Sequence, residues 1–178
     1  MTDPLILTLA LDAASFAVFD RQRRRYFPPE RNLIPAHVTL FHALPGEAVE
    51  AILRDVQDVS RREAPFPLAV TGLRSLGRGV AYTLQAPALA TLRASLVARW
   101  SDWLTPQDRQ KHQPHVTVQN KVDPVAARDT LAALQASFEP FTATGEGLHL
   151  WWYRGGPWEL VDTVRFTRTP PPAGAVGG

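Results

Sequence analysis

Two similar tetrapeptides, His37-Val38-Thr39-Leu40 and His115-Val116-Thr117-Val118, are the most informative segments of this chain. Each places a threonine two positions after a histidine, and apolar residues fill the other two positions. Side chains alternate across a β-strand, so the histidine and threonine of each motif share one face. Both segments are therefore predicted to be strands that pack one face on a core and offer an imidazole and a hydroxyl on the other.

Each motif is followed by the same order of predicted elements, which indicates an internal repeat. A helix comes next, then a strand that contains a Gly-Leu pair, then another strand. The histidines are 78 positions apart, and the pairs Gly72-Leu73 and Gly147-Leu148 are 75 positions apart. The chain is therefore predicted to contain a duplicated unit of roughly 75 residues. A pseudo-two-fold axis between two such units would bring the motif strands face to face.

Hydrophobic periodicity, helix caps and turn residues set the expected element boundaries. Strands are predicted over residues 5–11, 36–43, 66–73, 80–85, 115–122, 141–153 and 158–167, and helices over 13–26, 47–62, 87–104 and 123–138. The Pro/Gly-rich end, residues 170–178, has too little side chain to form a core and is predicted to be a disordered tail. Residues 1–169 are predicted to form a single domain of two lobes, with motif strands 36–43 and 115–122.

Composition limits the classes of function. The chain has 178 residues and no cysteine, which excludes disulfides, thiol nucleophiles and cysteine-bound metals. The apolar run 5–11 is too short for a membrane span and lacks a basic segment before it, so a cytoplasmic protein is expected. A net charge of only +2 argues against a wide footprint on duplex DNA. All but two of the 19 basic residues are arginine, whose planar fork of donors suits phosphate.

Two histidines and two threonines on facing strands suit phosphate ester chemistry without a metal. In-line displacement at phosphorus needs a base for the incoming oxygen and an acid for the leaving oxygen. Histidine titrates near neutral pH, so His37 and His115 can divide these roles. The hydroxyls of Thr39 and Thr117 can donate to the non-bridging oxygens, where negative charge grows in the transition state.

The paired motifs resemble the signature of the 2H phosphoesterase superfamily, also called the LigT-like or 2′-5′ RNA ligase family. That signature is two His-hydrophobic-Thr/Ser-hydrophobic tetrapeptides, and the likeness extends from residue 4 to about residue 168. The resemblance implies an α+β fold in which two antiparallel sheets form a central cleft and helices pack outside. It implies 2′,3′-cyclic phosphodiesterase activity that leaves a 2′-phosphate, with ATP-independent 2′-5′ RNA ligation as the reverse reaction in some members.

Carried over to this chain, the resemblance makes His37 and His115 the acid and base, and Thr39 and Thr117 the phosphate donors. For release of O3′ we take His115 to activate water and His37 to protonate the leaving oxygen. Several RNA-acting members carry an arginine shortly after the second motif, whereas this chain has Gln119-Asn120-Lys121. Lys121 supplies a point charge there, without the bidentate fork of arginine.

Further substrate contacts are expected from aromatic and basic residues near the motifs. Phe41 follows the first motif on the predicted face of His37, where its ring can stack on a base. Trp152, Tyr153 and Arg154 end a strand of the second lobe and are candidate substrate contacts. No cofactor or metal is expected. The expected partner is a nucleotide or an RNA with a 2′,3′-cyclic phosphate, and the protein is expected to be a monomer that binds neither membranes nor duplex DNA.

Two other classes of function are consistent with the same residues. One is a non-catalytic nucleotide- or RNA-binding module that uses the same cleft, although both motifs are intact. The other is a metallohydrolase with His37 and His115 as ligands. It is the weaker alternative, because no carboxylate lies at a ligand position beside either histidine, as it does in H-E-x-x-H sites.

Overall fold

The computed structural model describes residues 2–170 and contains seven strands and four α-helices in that range. The strands are β1 (Leu5–Leu11), β2 (Val38–Leu44), β3 (Phe66–Ser75), β4 (Val80–Gln85), β5 (His115–Gln119), β6 (Phe141–Trp152) and β7 (Glu159–Arg165). The helices are α1 (Ala13–Tyr26), α2 (Val49–Arg61), α3 (Pro87–Arg99) and α4 (Pro124–Ser137). Apart from Pro170, the predicted tail over 170–178 lies outside the described residues.

All seven strands join one antiparallel sheet in the order β2-β1-β6-β3-β4-β5, and β7 pairs with β6 beside this path. The order is symmetric about the β6/β3 pair, because β2-β1-β6 on one side corresponds to β5-β4-β3 on the other. The unit β1-α1-β2-α2-β3 is followed by β4-α3-β5-α4-β6 with the same order of elements. The two units therefore exchange their last strands, because β6 pairs with β1 and β3 pairs with β4. The two sheets that were predicted are the two halves of one continuous sheet.

The helices cover the sheet by the same exchange between units. Helix α1 packs against β5 and α2 against β6 and β7, whereas α4 packs against β3 and β4. Side-chain caps start two of them: Asp12 accepts from the amide of Ser15, and Asp123 accepts from the amides of Val125 and Ala126. Helices α1, α2 and α4 thus each pack on at least one strand of the other unit, which holds the halves together. Among residues 2–170, no helix is long and apolar enough to cross a membrane.

The curl of the sheet brings its two edge strands, β2 and β5, within 8 Å of each other between Cα atoms. These are the strands that carry the two motifs. Buried arginines from the helices bind carbonyl groups of both: Arg23 Nη1 donates to Thr117 O at 2.9 Å, and Arg93 Nε donates to Leu40 O at 3.0 Å. Edge carbonyls of both motif strands are thereby satisfied without a further strand, which leaves a cleft between β2 and β5.

The motif strands are shorter than predicted and deviate from simple alternation. The strand predicted over 36–43 begins at Val38, so His37 immediately precedes it, and the strand predicted over 115–122 ends at Gln119. Each is irregular where it pairs with its neighbour, β2 between the partners Thr39 and Phe41 and β5 between Thr117 and Gln119. Such bulges insert one residue and shift the following side chains to the other face.

Candidate active site

Both motif histidines make the same hydrogen bond to their own chain. The Nδ1 atom of His37 lies 2.8 Å from the carbonyl oxygen of Pro35, and the Nδ1 atom of His115 lies 2.8 Å from that of Gln113. A carbonyl oxygen only accepts, so each Nδ1 must carry the hydrogen. In the neutral tautomer Nε2 is then the free nitrogen of each ring, and it is the atom that can take or give a proton.

The surroundings of both imidazoles favour their neutral forms. Burial lowers the pKa of His37 to about 4, with smaller contributions from the charges of Arg23 and His115, and its bond to Pro35 opposes the shift. The ring of Trp158 covers His37, with the ring centroids 4.7 Å apart. Burial also lowers the pKa of His115, and the nearby charge of Arg74 acts in the same direction. Each ring is therefore suited to accept a proton, and a bound anion would favour protonation.

The two threonines lie on the paired edge strands, each two positions after its histidine. Thr39 is half-buried and lines a cavity together with His115, so the first lobe's hydroxyl and the second lobe's imidazole share one space. The carbonyl of Thr39 accepts from His112 Nε2 at 2.9 Å, which ties the segment before β5 to β2. Thr117 is half-buried and pairs with Ala81 of β4. The catalytic roles of all four motif residues remain predictions.

One cavity on the His37 side, which we call the aromatic pocket, has a volume of about 410 Å³. Trp151 and Trp158 form a wall of aromatic rings beside His37, with 6.0 Å between their centroids. The indole nitrogen of Trp151 donates to Thr8 Oγ1, which fixes its ring. The other residues of the pocket are mainly apolar and include Phe16, Leu33 and Ile34. Such a pocket is of the size and chemistry that suits a nucleobase.

A second cavity of about 430 Å³ lies on the His115 side and is cationic. We call it the cationic pocket, and its polar lining includes Thr39, His42, Arg74, Arg93, Lys111, His112 and His115. Asp108 also lines it, but this carboxylate is buried and accepts from the amides of His42 and Ala43 and from His42 Nδ1. Across residues 2–170, no three histidine, cysteine or carboxylate side chains are grouped as a metal site requires.

The structure corrects the predicted position of Phe41. The bulge in β2 turns this ring into the core, where it is 0% exposed and meets Trp100 at 5.2 Å between ring centroids. The exposed His42 lines the cationic pocket instead. The expectation that Phe41 shares the face of His37 is therefore wrong, because alternation breaks at the inserted residue.

Lys121 is also displaced from its predicted place on the face of His115. The strand ends two residues earlier, and Lys121 is exposed in a turn with a left-handed φ of 63°. Gln119 is buried and donates to Thr130 of α4 at 2.7 Å, so it too leaves the motif face. The bulge in β5 explains the burial of Gln119, and the end of the strand explains the position of Lys121.

The three candidate contacts at the end of β6 lie away from the aromatic pocket. Trp151 lines that pocket, and alternation sends Trp152 to the opposite face, where it packs on Gly46. Arg154 stacks on the Trp152 ring at 5.2 Å and forms ion pairs with Asp3 and Glu159. Tyr153 is 42% exposed beside them. Among the adjacent aromatics, the structure thus brings Trp151 to the cleft rather than Trp152 and Tyr153.

Sequence reasoning missed Trp158 and Arg74 as residues of the site. Trp158 follows the turn after β6, and its approach to His37 spans 121 positions of the chain. Arg74 comes from β3, and its Nη1 donates to Gln113 Oε1 at 2.7 Å, next to His115. Arg74 thus supplies an arginine near His115, although none follows the second motif in the sequence. No local pattern indicates either contact, because both depend on strand pairing.

Comparison with known proteins fits this arrangement of fold and site. A curled antiparallel sheet with paired His-x-Thr strands defines the 2H phosphoesterase, or LigT-like, class of proteins, and the predicted fold class is confirmed. The family model of the 2′-5′ RNA ligase superfamily matches residues 11–157, and the chain belongs to that superfamily. No curated protein sequence matches the chain significantly.

Solved structures share the fold at low sequence identity. The protein TT0787 of Thermus thermophilus is 17% identical, with a TM-score of 0.65 over 92% of this chain and 97% of its own. Escherichia coli LigT complexed with 3′-AMP is 16% identical, with a TM-score of 0.56 over 94% of this chain and 100% of its own. The same protein complexed with NADP+ gives a TM-score of 0.58 at 16% identity, over 94% of this chain and 100% of its own.

Proposed function

We propose that this protein hydrolyses 2′,3′-cyclic phosphates of nucleotides or RNA ends to 2′-phosphates, without a metal ion. The observation that carries the proposal is the matched pair of Nδ1 bonds, which leaves one Nε2 free on each of two facing strands. An in-line displacement needs this arrangement: one nitrogen to accept the proton of water and one to supply a proton to the leaving oxygen.

The reaction balances with these two groups. The Nε2 atom of His115 takes a proton from water as its oxygen bonds to phosphorus, and the P–O3′ bond breaks as the Nε2 atom of His37 gives O3′ a proton. The product carries a 2′-phosphate and a free 3′-hydroxyl, and the two histidines have exchanged their protonation states. The hydroxyls of Thr39 and Thr117 donate to the non-bridging oxygens.

The negative charge of the cyclic phosphate supports the proposed role of His37. In the free protein the pKa of His37 is about 4, so this ring is mostly neutral at pH 7. An anion bound between the two rings favours the imidazolium form and raises that pKa. Substrate binding therefore favours protonation of His37, the proposed acid. The aromatic pocket beside His37 binds the nucleobase.

The likeness to LigT in complexes with 3′-AMP and NADP+ supports a nucleotide as ligand. The reverse reaction, 2′-5′ ligation of RNA ends, uses the same two protons in the opposite direction and belongs to the same proposal. We further propose that the protein acts as a monomer in the cytoplasm.

The test is hydrolysis of 2′,3′-cyclic nucleotides and short RNAs with cyclic ends, in EDTA, by wild type, His37→Ala and His115→Ala. Product regiochemistry is read by phosphorus NMR. Turnover by wild type alone, with a 2′-phosphate product, is expected. Turnover that EDTA abolishes would identify a metallohydrolase, and micromolar binding without turnover would identify a binding module.

The roles of the two histidines can be separated with a cyclic substrate that has sulfur in place of O3′. A thiolate leaves without protonation, so this substrate needs the base but not the acid. His37→Ala is expected to regain activity on it, and His115→Ala is not. The opposite pattern would exchange the two roles.

A further inference from the structure

We infer that the part of the cationic pocket around Arg74 and Lys111 binds a second phosphate, next to the cyclic phosphate that reacts between the histidines. The inference rests on the proposed function and names its substrate class: a cyclic nucleotide that carries another phosphate at its 5′ position. That phosphate is either a terminal 5′-phosphate or the phosphodiester that joins the preceding nucleotide of an RNA.

The first argument is the state of Arg74. Its Nε atom is buried and its Nη1 atom is used by the neutral side chain of Gln113, whereas its Nη2 atom makes no hydrogen bond within residues 2–170 and is not buried. No carboxylate within residues 2–170 forms an ion pair with this guanidinium. A partly buried cation with an unused donor is costly unless an anion joins it, and phosphate oxygens are well matched acceptors.

The second argument is the charge balance of the pocket. Arg74, Arg93 and Lys111 line it, whereas Asp108 is the single carboxylate among the described residues around it. The oxygens of Asp108 are occupied by the two backbone amides and the imidazole described above. The pocket therefore keeps an excess of positive charge. Lys111 is exposed, so its ammonium group is free to move toward a ligand.

The third argument is the layout of the cleft around a cyclic nucleotide. His115 and Thr39 lie in the cationic pocket, and His37 lines the aromatic pocket. A ribose with its cyclic phosphate between the histidines has its base and its 5′ oxygen attached at different ring carbons. With the base in the aromatic pocket, the inference requires the 5′ substituent to reach the cationic pocket, where Arg74 and Lys111 can bind its phosphate.

The test is calorimetric binding of adenosine 2′-monophosphate and adenosine 2′,5′-bisphosphate, which differ only in the second phosphate. Wild type is expected to bind the bisphosphate at least about tenfold more tightly at low salt. Lys111→Gln is expected to lose most of that advantage while keeping its affinity for the monophosphate within about threefold, and Arg74→Gln is expected to lose the advantage as well. Arg128→Gln, an exposed cation on α4, is the matched control and is expected to keep it.

Equal affinities for the two ligands in wild type would overturn the inference, as would an advantage that survives both Lys111→Gln and Arg74→Gln. The binding measurement needs no turnover, so it separates this inference from the proposed activity. Hydrolysis rates then distinguish the two sources of the phosphate. If a terminal phosphate is bound, a 5′-phosphorylated cyclic mononucleotide should be hydrolysed as fast as a dinucleotide with a cyclic phosphate end. If the phosphodiester of RNA is the ligand, the mononucleotide should be hydrolysed more slowly than the dinucleotide.

Discussion

His37 and His115 hold their imidazoles by the same device, a 2.8 Å hydrogen bond from Nδ1 to the carbonyl oxygen two residues earlier in the chain. Each bond is local and fixes both the tautomer and the ring orientation of its histidine. The curled sheet then places its edge strands β2 and β5 near each other. Local sequence thus fixes each imidazole, and tertiary structure brings together the two strand regions that carry them.

Replacing either histidine is expected to remove activity with little loss of stability. For His37→Ala and His115→Ala, kcat on a 2′,3′-cyclic nucleotide should fall by about 10²- to 10⁴-fold, the usual contribution of one general acid or base. Both rings are only half-buried at the mouth of a cleft, so little core packing is lost. The measurement is steady-state kinetics beside thermal unfolding. A large fall in melting temperature with retained activity would show that the histidines are structural.

The pH profile of kcat/KM is expected to have its maximum below pH 6.5. Catalysis needs one histidine protonated and one neutral, and this form is most abundant between the two pKa values of the free protein. Burial lowers the pKa of both rings, that of His37 to about 4, so the productive form accumulates on the acid side of the ordinary histidine value. Rates measured from pH 4 to 9 test this. A maximum above pH 7.5 would contradict it.

Removing the ring that covers His37 is expected to raise the pKa of this histidine. In Trp158→Ala the imidazole regains contact with water, so its protonated form becomes less costly and its pKa moves from about 4 toward 6.5. NMR titration of the histidine ring protons measures the shift. His112, which lines the cationic pocket and not the aromatic pocket, serves as an internal control and should keep its titration. An unchanged His37 would show that other groups set its pKa.

Two adjacent tryptophans give a matched test of the aromatic pocket. Trp151→Leu should raise KM for a cyclic nucleotide about tenfold, because stacking on a base contributes roughly 1–3 kcal/mol. Trp152→Leu, which changes the neighbouring residue on the opposite face, should leave KM within about twofold. Equal effects of the two substitutions would remove the assignment of this pocket to the base.

Asp108 is expected to stabilise β2 by its buried hydrogen bonds. Asp108→Ala leaves the amides of His42 and Ala43 without their acceptor, so the free energy of unfolding should fall by on the order of 3 kcal/mol. Urea denaturation measures this loss. Asp102→Ala removes an exposed carboxylate from the same connection and should change stability by less than about 0.5 kcal/mol. Similar losses in both variants would show that the hydrogen bonds of Asp108 contribute little.

Local residue patterns were enough to predict the elements, the repeat and the two motifs. Alternation, caps and periodicity act over a few residues, and the matching order of elements after His37 and His115 predicted the fold class, which the structure and its relatives confirm. The family could also be recognised from these motifs, because it depends on residue type and spacing alone.

Only the tertiary structure decided which further side chains reach the cleft. A bulge inserts one residue and reverses the faces after it, so Phe41 enters the core, although strict alternation predicted the opposite. Lys121 leaves the motif face because β5 ends at Gln119. Trp158 and Arg74 reach the two histidines through strand pairing that joins distant parts of the chain. Local patterns cannot encode these contacts, because the register between strands is set by the packing of the whole sheet.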